Sequence, residues 1–221
     1  AAKRVALVVG NNDYRNVPKL LKAVNDARTI GDTLKQLGFT VMVAENQSRQ
    51  AFSQTLLAFD KAVEAGDTAF FFYAGHGFEI AGQNFLLPTD VPAATEGQEE
   101  LVRDASVLAD RIIERLQNRK VRTAILVFDA CRNNPFPDIN KSAGGGLAIV
   151  DAKVGSPGTF LSFSTSPGAV AEDGTGSNSP YTTALLAAGK ESGIPIEETF
   201  KRVRLAVNKV TDGRQTPWDS S

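Results

Sequence analysis

Short apolar runs at Val5–Val9, Thr68–Ala74, Val121–Phe128 and Thr159–Phe163, with Phe39–Val43 as a fifth strand-like segment, constrain this chain more than any other feature. Between them lie segments of helical period. Leu20, Val24, Ala27, Ile30, Leu34 and Leu37 recur at three- and four-residue spacing until Gly38 interrupts them. A second amphipathic stretch, about Ser48 to Ala65, carries Phe52, Leu56, Phe59 and Val63, and a third helix is expected from about Asp104 to Asn118. Strands that are apolar on both faces and alternate with helices need cover on both sides. The expected fold class is therefore α/β, a three-layer α/β/α sandwich around a mostly parallel central sheet. Ligands of such sheets collect at the carboxyl ends of the strands.

The remaining segments are turns and connections. Gly77 to Pro88 alternates around Gly82-Gln83 and reads as a small hairpin, Val91 to Gly97 reads as loop, and Arg132 to Pro157 reads as a surface loop rich in glycine and proline. Helices are expected at about Tyr181 to Glu191 and Ile196 to Val210, and no internal repeat is visible. A length of 221 residues suits a single domain, 1–221, with a core large enough to need no staples.

Composition excludes several function classes. Twenty-four basic against 25 acidic side chains give a formal charge of -1, so nothing calls for nucleic acid or a membrane surface. No apolar run approaches the ~18 residues of a transmembrane helix. One cysteine excludes an internal disulfide, and one cysteine with one histidine cannot build a four-ligand structural zinc site. The compartment stays open. A start at Ala1-Ala2 fits a trimmed chain or a mature chain whose signal peptide is gone, with export the expectation and the cytoplasm the alternative.

The single histidine, His76, follows the run ending at Ala74, and the single cysteine, Cys131, follows the run ending at Phe128 with one aspartate and one alanine between. A lone cysteine is more often a small buried apolar side chain than a nucleophile. Here both residues fall at the ligand-binding edge of one presumed sheet, and that coincidence favours catalysis. The thiolate is the reactive form of cysteine. A neighbouring imidazole can take the thiol proton and later pass it to a leaving amine. The glycines around His76 permit close approach of backbone to substrate, and the amides of Gly77 and Cys131 are candidates for an oxyanion hole. An ordinary turn explains Gly75 and Gly77 equally well.

Gly10 with Tyr14, Tyr73-Ala74-Gly75-His76-Gly77, and Asp129-Ala130-Cys131-Arg132 resemble the caspase clan of cysteine peptidases, and the Tyr-Ala-Gly-His-Gly form is most similar to paracaspases and their bacterial, metacaspase-related relatives. The histidine precedes the cysteine by 55 residues (131 − 76), near the caspase spacing of about 50. Asp129 stands where an aspartate-cutting caspase has glutamine, and Asn133 stands where it has glycine. Those departures point to the paracaspase or metacaspase side.

The resemblance implies a Cys–His dyad without an obligatory third member and an acidic pocket for the basic residue before the cut. Asp129 lies two residues before Cys131, so an extended strand projects both side chains from one face. A carboxylate ending an apolar strand needs a cationic partner, either a substrate arginine or a structural one such as Arg132. Asp26, 50 residues before the histidine (76 − 26), matches a second pocket acid by resemblance, though locally it is equally a first-turn helix acid. Glu172 and Asp173 offer a third acid, Asp173 preferred, unless they are solvated turn acids. Ser164, Thr165 and Ser166 match the stretch that pairs with an extended substrate, or are simply a polar strand end.

The expected activity is endopeptidase cleavage after Arg, then Lys, of peptide or protein substrates through a thioester. A catalytically silent binding module is the alternative. No metal ligand set and no cofactor is indicated, with calcium activation possible only by analogy with metacaspases. A homodimer is possible, and Lys141 and Lys153 lie where chains of this kind are nicked on activation.

Overall fold

The apolar runs form the strands of one sheet in the computed structural model, which describes residues 2–130, 134–139, 158–163, 178, 182–183, 201–202, 205–206, 208–209, 211 and 218–220. In chain order the elements are β1 (Arg4–Gly10), α1 (Ala23–Gln36), β2 (Thr40–Glu45), α2 (Arg49–Ala62), β3 (Thr68–Ala74), β4 (Gly77–Ile80), β5 (Gln83–Leu86), α3 (Glu99–Asp104), β6 (Val107–Leu108), α4 (Ala109–Asn118), β7 (Thr123–Asp129), β8 (Thr159–Phe163) and β9 (Trp218–Ser220).

The main sheet runs β2-β1-β3-β7-β8-β9. Its first five strands are parallel, and β9 closes the row antiparallel to β8. Side chains alternate between its faces, as extended backbone requires. Leu7, Phe71 and Leu126 pack with Phe52 and Phe59 of α2 and with Ile112 and Leu116 of α4. Val8, Phe72 and Val127 pack with Ala27, Ile30 and Leu34 of α1. Helices thus cover both faces, as expected for an α/β/α sandwich. Burying each such Leu, Val or Phe stabilises by about 1.5–3 kcal/mol.

A buried carboxylate fastens the amino edge. Asp67 accepts the backbone N–H groups of Lys3 and Glu64, both at 2.8 Å, and Lys3 Nζ stands 3.8 Å away. Burial pushes the Asp67 carboxyl up, but those two N–H groups and the lysine charge outweigh it and hold it below the usual range.

One local expectation is corrected, and one strand was not foreseen. The segment expected as one helix from Asp104 divides into α3, β6 and α4, because Val107 and Leu108 pair with Leu86 and Phe85 in a second sheet, β4-β5-β6. Tertiary pairing there overrides helical periodicity. The carboxyl end supplies β9, which the sequence pattern did not reveal. The hairpin β4–β5 does turn at Ala81-Gly82. Both residues have positive φ, 51° and 80°, as a type I′ turn demands.

Candidate active site

The register of the central strands brings Ala74 and Asp129, the strand ends that precede the two sequence landmarks, to one level. Every β3–β7 partner pair is 55 residues apart, from Thr68–Thr123 to Ala74–Asp129. His76 therefore lies two residues past one member of the last pair, and position 131 lies two past the other. Gly75 N–H bridges toward Asp129 O at 3.4 Å. Cys131 itself lies outside the described residues.

His76 is buried, with 3% exposure. Its Nε2 is 2.7 Å from the carbonyl oxygen of Pro18. A carbonyl can only accept, so Nε2 carries the proton of the neutral ring and Nδ1 is its basic nitrogen. The same carbonyl dipole faces the positive charge that the ring would gain on taking a second proton.

The backbone of His76 is held by two phenols. Tyr14 Oη accepts the His76 N–H at 2.8 Å and donates to Leu87 O at 2.8 Å. Tyr73 Oη donates to the His76 carbonyl at 2.7 Å, which also accepts Leu87 N–H at 3.0 Å. Each hydroxyl has one proton, and this allocation uses the shortest contacts. Tyr73 stacks on Phe52 with ring centroids 6.0 Å apart, and Tyr14 lies against the His76 ring at 4.5 Å. Gly75 has no room for a side chain, since an added Cβ would stand 2.5 Å from Tyr73 Oη and 2.8 Å from Tyr14 Oη.

The loop between β1 and α1 brings in Pro18 and is fixed at several points. Asn12 O accepts the N–H groups of Tyr14 and Leu20, and Asn12 Oδ1 accepts Val24 N–H at 3.1 Å, satisfying an orphan donor of the first turn of α1. Buried Asn11 accepts Gln47 N–H at 2.8 Å through Oδ1 and reaches Leu87 O with Nδ2 at 3.4 Å. Gly10 lets α1 start directly above β1, because a Cβ there would meet Ala23 O at 2.6 Å.

Gly77 opens β4 opposite Leu86. The hairpin is bonded at Leu87 N–H to His76 O, so the adjoining Gly77–Leu86 pair is a non-hydrogen-bonded one. Its N–H points away from β5.

Asp26 and Asp129 are both buried, with 0% and 1% exposure. Asp129 follows Ile125 and Val127 in the alternation and so faces α1. Asp26 lies in the first turn of that helix, at the same carboxyl edge of the sheet. The structure thus puts these two acids on one side and one edge. Glu172, Asp173, Ser164, Thr165 and Ser166 lie outside the described residues, as do Lys141 and Lys153. Among the described residues, no group of three or more His, Cys, Asp or Glu side chains could hold a metal ion, and no helix is long and apolar enough to cross a membrane.

Sequence reasoning missed Pro18, because a backbone carbonyl has no residue signature. It also missed the clamp made by Tyr73, which is hidden in an apolar run where only the hydroxyl marks it.

Comparison with known proteins identifies the family. A family model described as the caspase domain matches residues 3–221. The human mucosa-associated lymphoid tissue lymphoma translocation protein 1 is 29% identical over 176 residues, covering 77% of this chain and 19% of that protein. Its mouse homolog is 28% identical over the same shares. A Desulfuromonadales protein named a "probable protease" is 26% identical over 224 residues, covering 85% of this chain and 26% of its own length. The chain spans about a fifth to a quarter of the length of these relatives.

Proposed function

The chain belongs to the caspase-domain family of peptidases, and from that premise we propose that it is a cysteine endopeptidase cutting after Arg, with Lys second, through Cys131 and His76. The observation that carries this reading is the bond from His76 Nε2 to Pro18 O, which turns the basic Nδ1 to the other side of the ring. Together with the common register offset of 55 residues, it favours Nδ1 as the acceptor of the thiol proton.

In the proposed reaction Nδ1 takes the proton from Sγ, and the thiolate attacks the scissile carbonyl carbon. The oxyanion that forms is met by the N–H groups of Gly77 and Cys131, the first of which the hairpin does not use. The C–N bond breaks as the imidazolium passes its proton to the departing amine, leaving a thioester. Water, deprotonated by the same nitrogen, then releases the acid and restores the thiol. The chemistry is complete without a cofactor. Asp26 and Asp129 are the acids proposed to receive the guanidinium, whose planar fork suits paired carboxylates, with Asp173 as a third.

The test is a fluorogenic peptide with Arg before the scissile bond. It should be cut, Lys should serve less well, and Cys131→Ala should abolish turnover. Preference for an Asp peptide would refute the pocket, and absence of turnover on all three would favour the silent binding module.

A further inference from the structure

We propose that the groove between α2 and α4 is a docking site for an acidic amphipathic helix of a partner protein. This groove lies on the face of the sheet opposite α1 and encloses about 420 Å³. That volume is within the range of real ligand sites.

Helix α2 carries two apolar surfaces. Phe52 and Phe59 are buried in the core, and Phe59 also lines the groove together with Leu56, which packs against that core, and Leu57, which is 49% exposed. The stripe from Arg49 to Asp60 spans 11 helical rises, about 17 Å, which matches about three turns of a helix laid beside it. On the far wall α4 presents Ile112 and Leu116, and Phe85 closes one end under the guanidinium of Arg103, which stands 5.7 Å from its ring.

Charge around this apolar floor is sorted. In α4 the arginines Arg111 and Arg115, one turn apart, line the groove, while Asp110 and Glu114 do not. Arg49 and Arg103 add two further cations, and the buried Nε of Arg49 has no hydrogen-bond acceptor among the described residues. Against four arginines stand two lining acids; Asp60 is held by Arg119 at 3.2 Å and Arg103 is itself paired with Glu100 at 3.1 Å, so the cationic rim rests mainly on Arg49, Arg111 and Arg115. An apolar trough with a cationic rim complements a helix whose apolar stripe is flanked by carboxylates, and it repels a basic one.

The probe is a labelled model helix with leucines at i, i+3, i+4 and i+7 and glutamates on both sides of that stripe. It is titrated by fluorescence anisotropy into the Cys131→Ala chain at about 0.15 M salt. Saturable binding is expected, with slowed hydrogen exchange in α2 and α4. The Arg111→Glu/Arg115→Glu variant should bind at least about tenfold more weakly while keeping its circular dichroism and melting temperature. Those two side chains are exposed, so the fold should tolerate the change. In the Cys131-containing background the same double substitution should leave peptide turnover unchanged. Failure to bind, equal binding by the variant, or equal binding of a lysine-for-glutamate helix overturns the proposal. Protection outside α2 and α4, or self-association of the chain through this groove, does so too.

Discussion

Tyr14 touches His76 twice, accepting its backbone N–H at 2.8 Å and laying its ring 4.5 Å from the imidazole. The phenol therefore sets the position of the histidine. Tyr14→Phe keeps the ring contact and removes the acceptor, leaving a buried N–H without its partner at a cost of about 1–3 kcal/mol. Peptide turnover should fall roughly ten- to a hundredfold, mostly in kcat, with KM little changed. Steady-state kinetics decide. A change confined to KM would mean that Tyr14 serves substrate binding.

Gly75→Ala is expected to be worse. Its Cβ would press on both phenol oxygens, at 2.5 and 2.8 Å, in a region with no slack. Turnover should be lost and the melting temperature lowered, whereas Gly66→Ala meets nothing within 4 Å and pays only for its φ of 85°. Thermal melts of the two variants side by side test the contrast.

Asp26→Asn and Asp129→Asn conserve shape and remove charge at two buried positions. If these acids bind the guanidinium, kcat/KM for an Arg peptide should drop at least about a hundredfold in each, with the preference for Arg over a neutral residue shrinking in parallel. A uniform loss on every peptide would assign the acids to structure instead.

Asp67→Asn should cost about 1–3 kcal/mol at neutral pH, because its amide would turn a donor toward one of the two N–H groups that the carboxylate accepts. The folded-state value is depressed, so the stabilisation is complete above the unfolded value of 3.8 and is lost as pH falls through the lower folded value. Urea melts should show wild type and variant converging on the acid side. A gap that stays constant with pH would rule out the carboxylate as its source.

The strands were legible because burial on both faces leaves an unmistakable apolar run, as in Phe70–Phe72. His76 stood out by rarity and by its place after such a run. What stayed hidden is held by backbone. The carbonyl of Pro18 can belong to any residue, the Val107–Leu108 strand is two residues long, and β9 exists only through pairing with β8. The buried acids were visible as residues, but local sequence could not place them on one side of the sheet, because it cannot say which face α1 covers.

The shared offset of 55 between β3 and β7 has an engineering consequence. Hydrogen bonds between two adjacent strands, and not the span of chain from β4 to α4, set the common level at which β3 ends at Ala74 and β7 ends at Asp129. Extra residues spliced into the exposed turn around Gly97 would lengthen that span and raise the offset by the same amount, with the strand pairing untouched. A sensor module inserted there would be carried as cargo. A one-residue slip of β7 against β3, which adds no atoms at all, would move the two ends out of step.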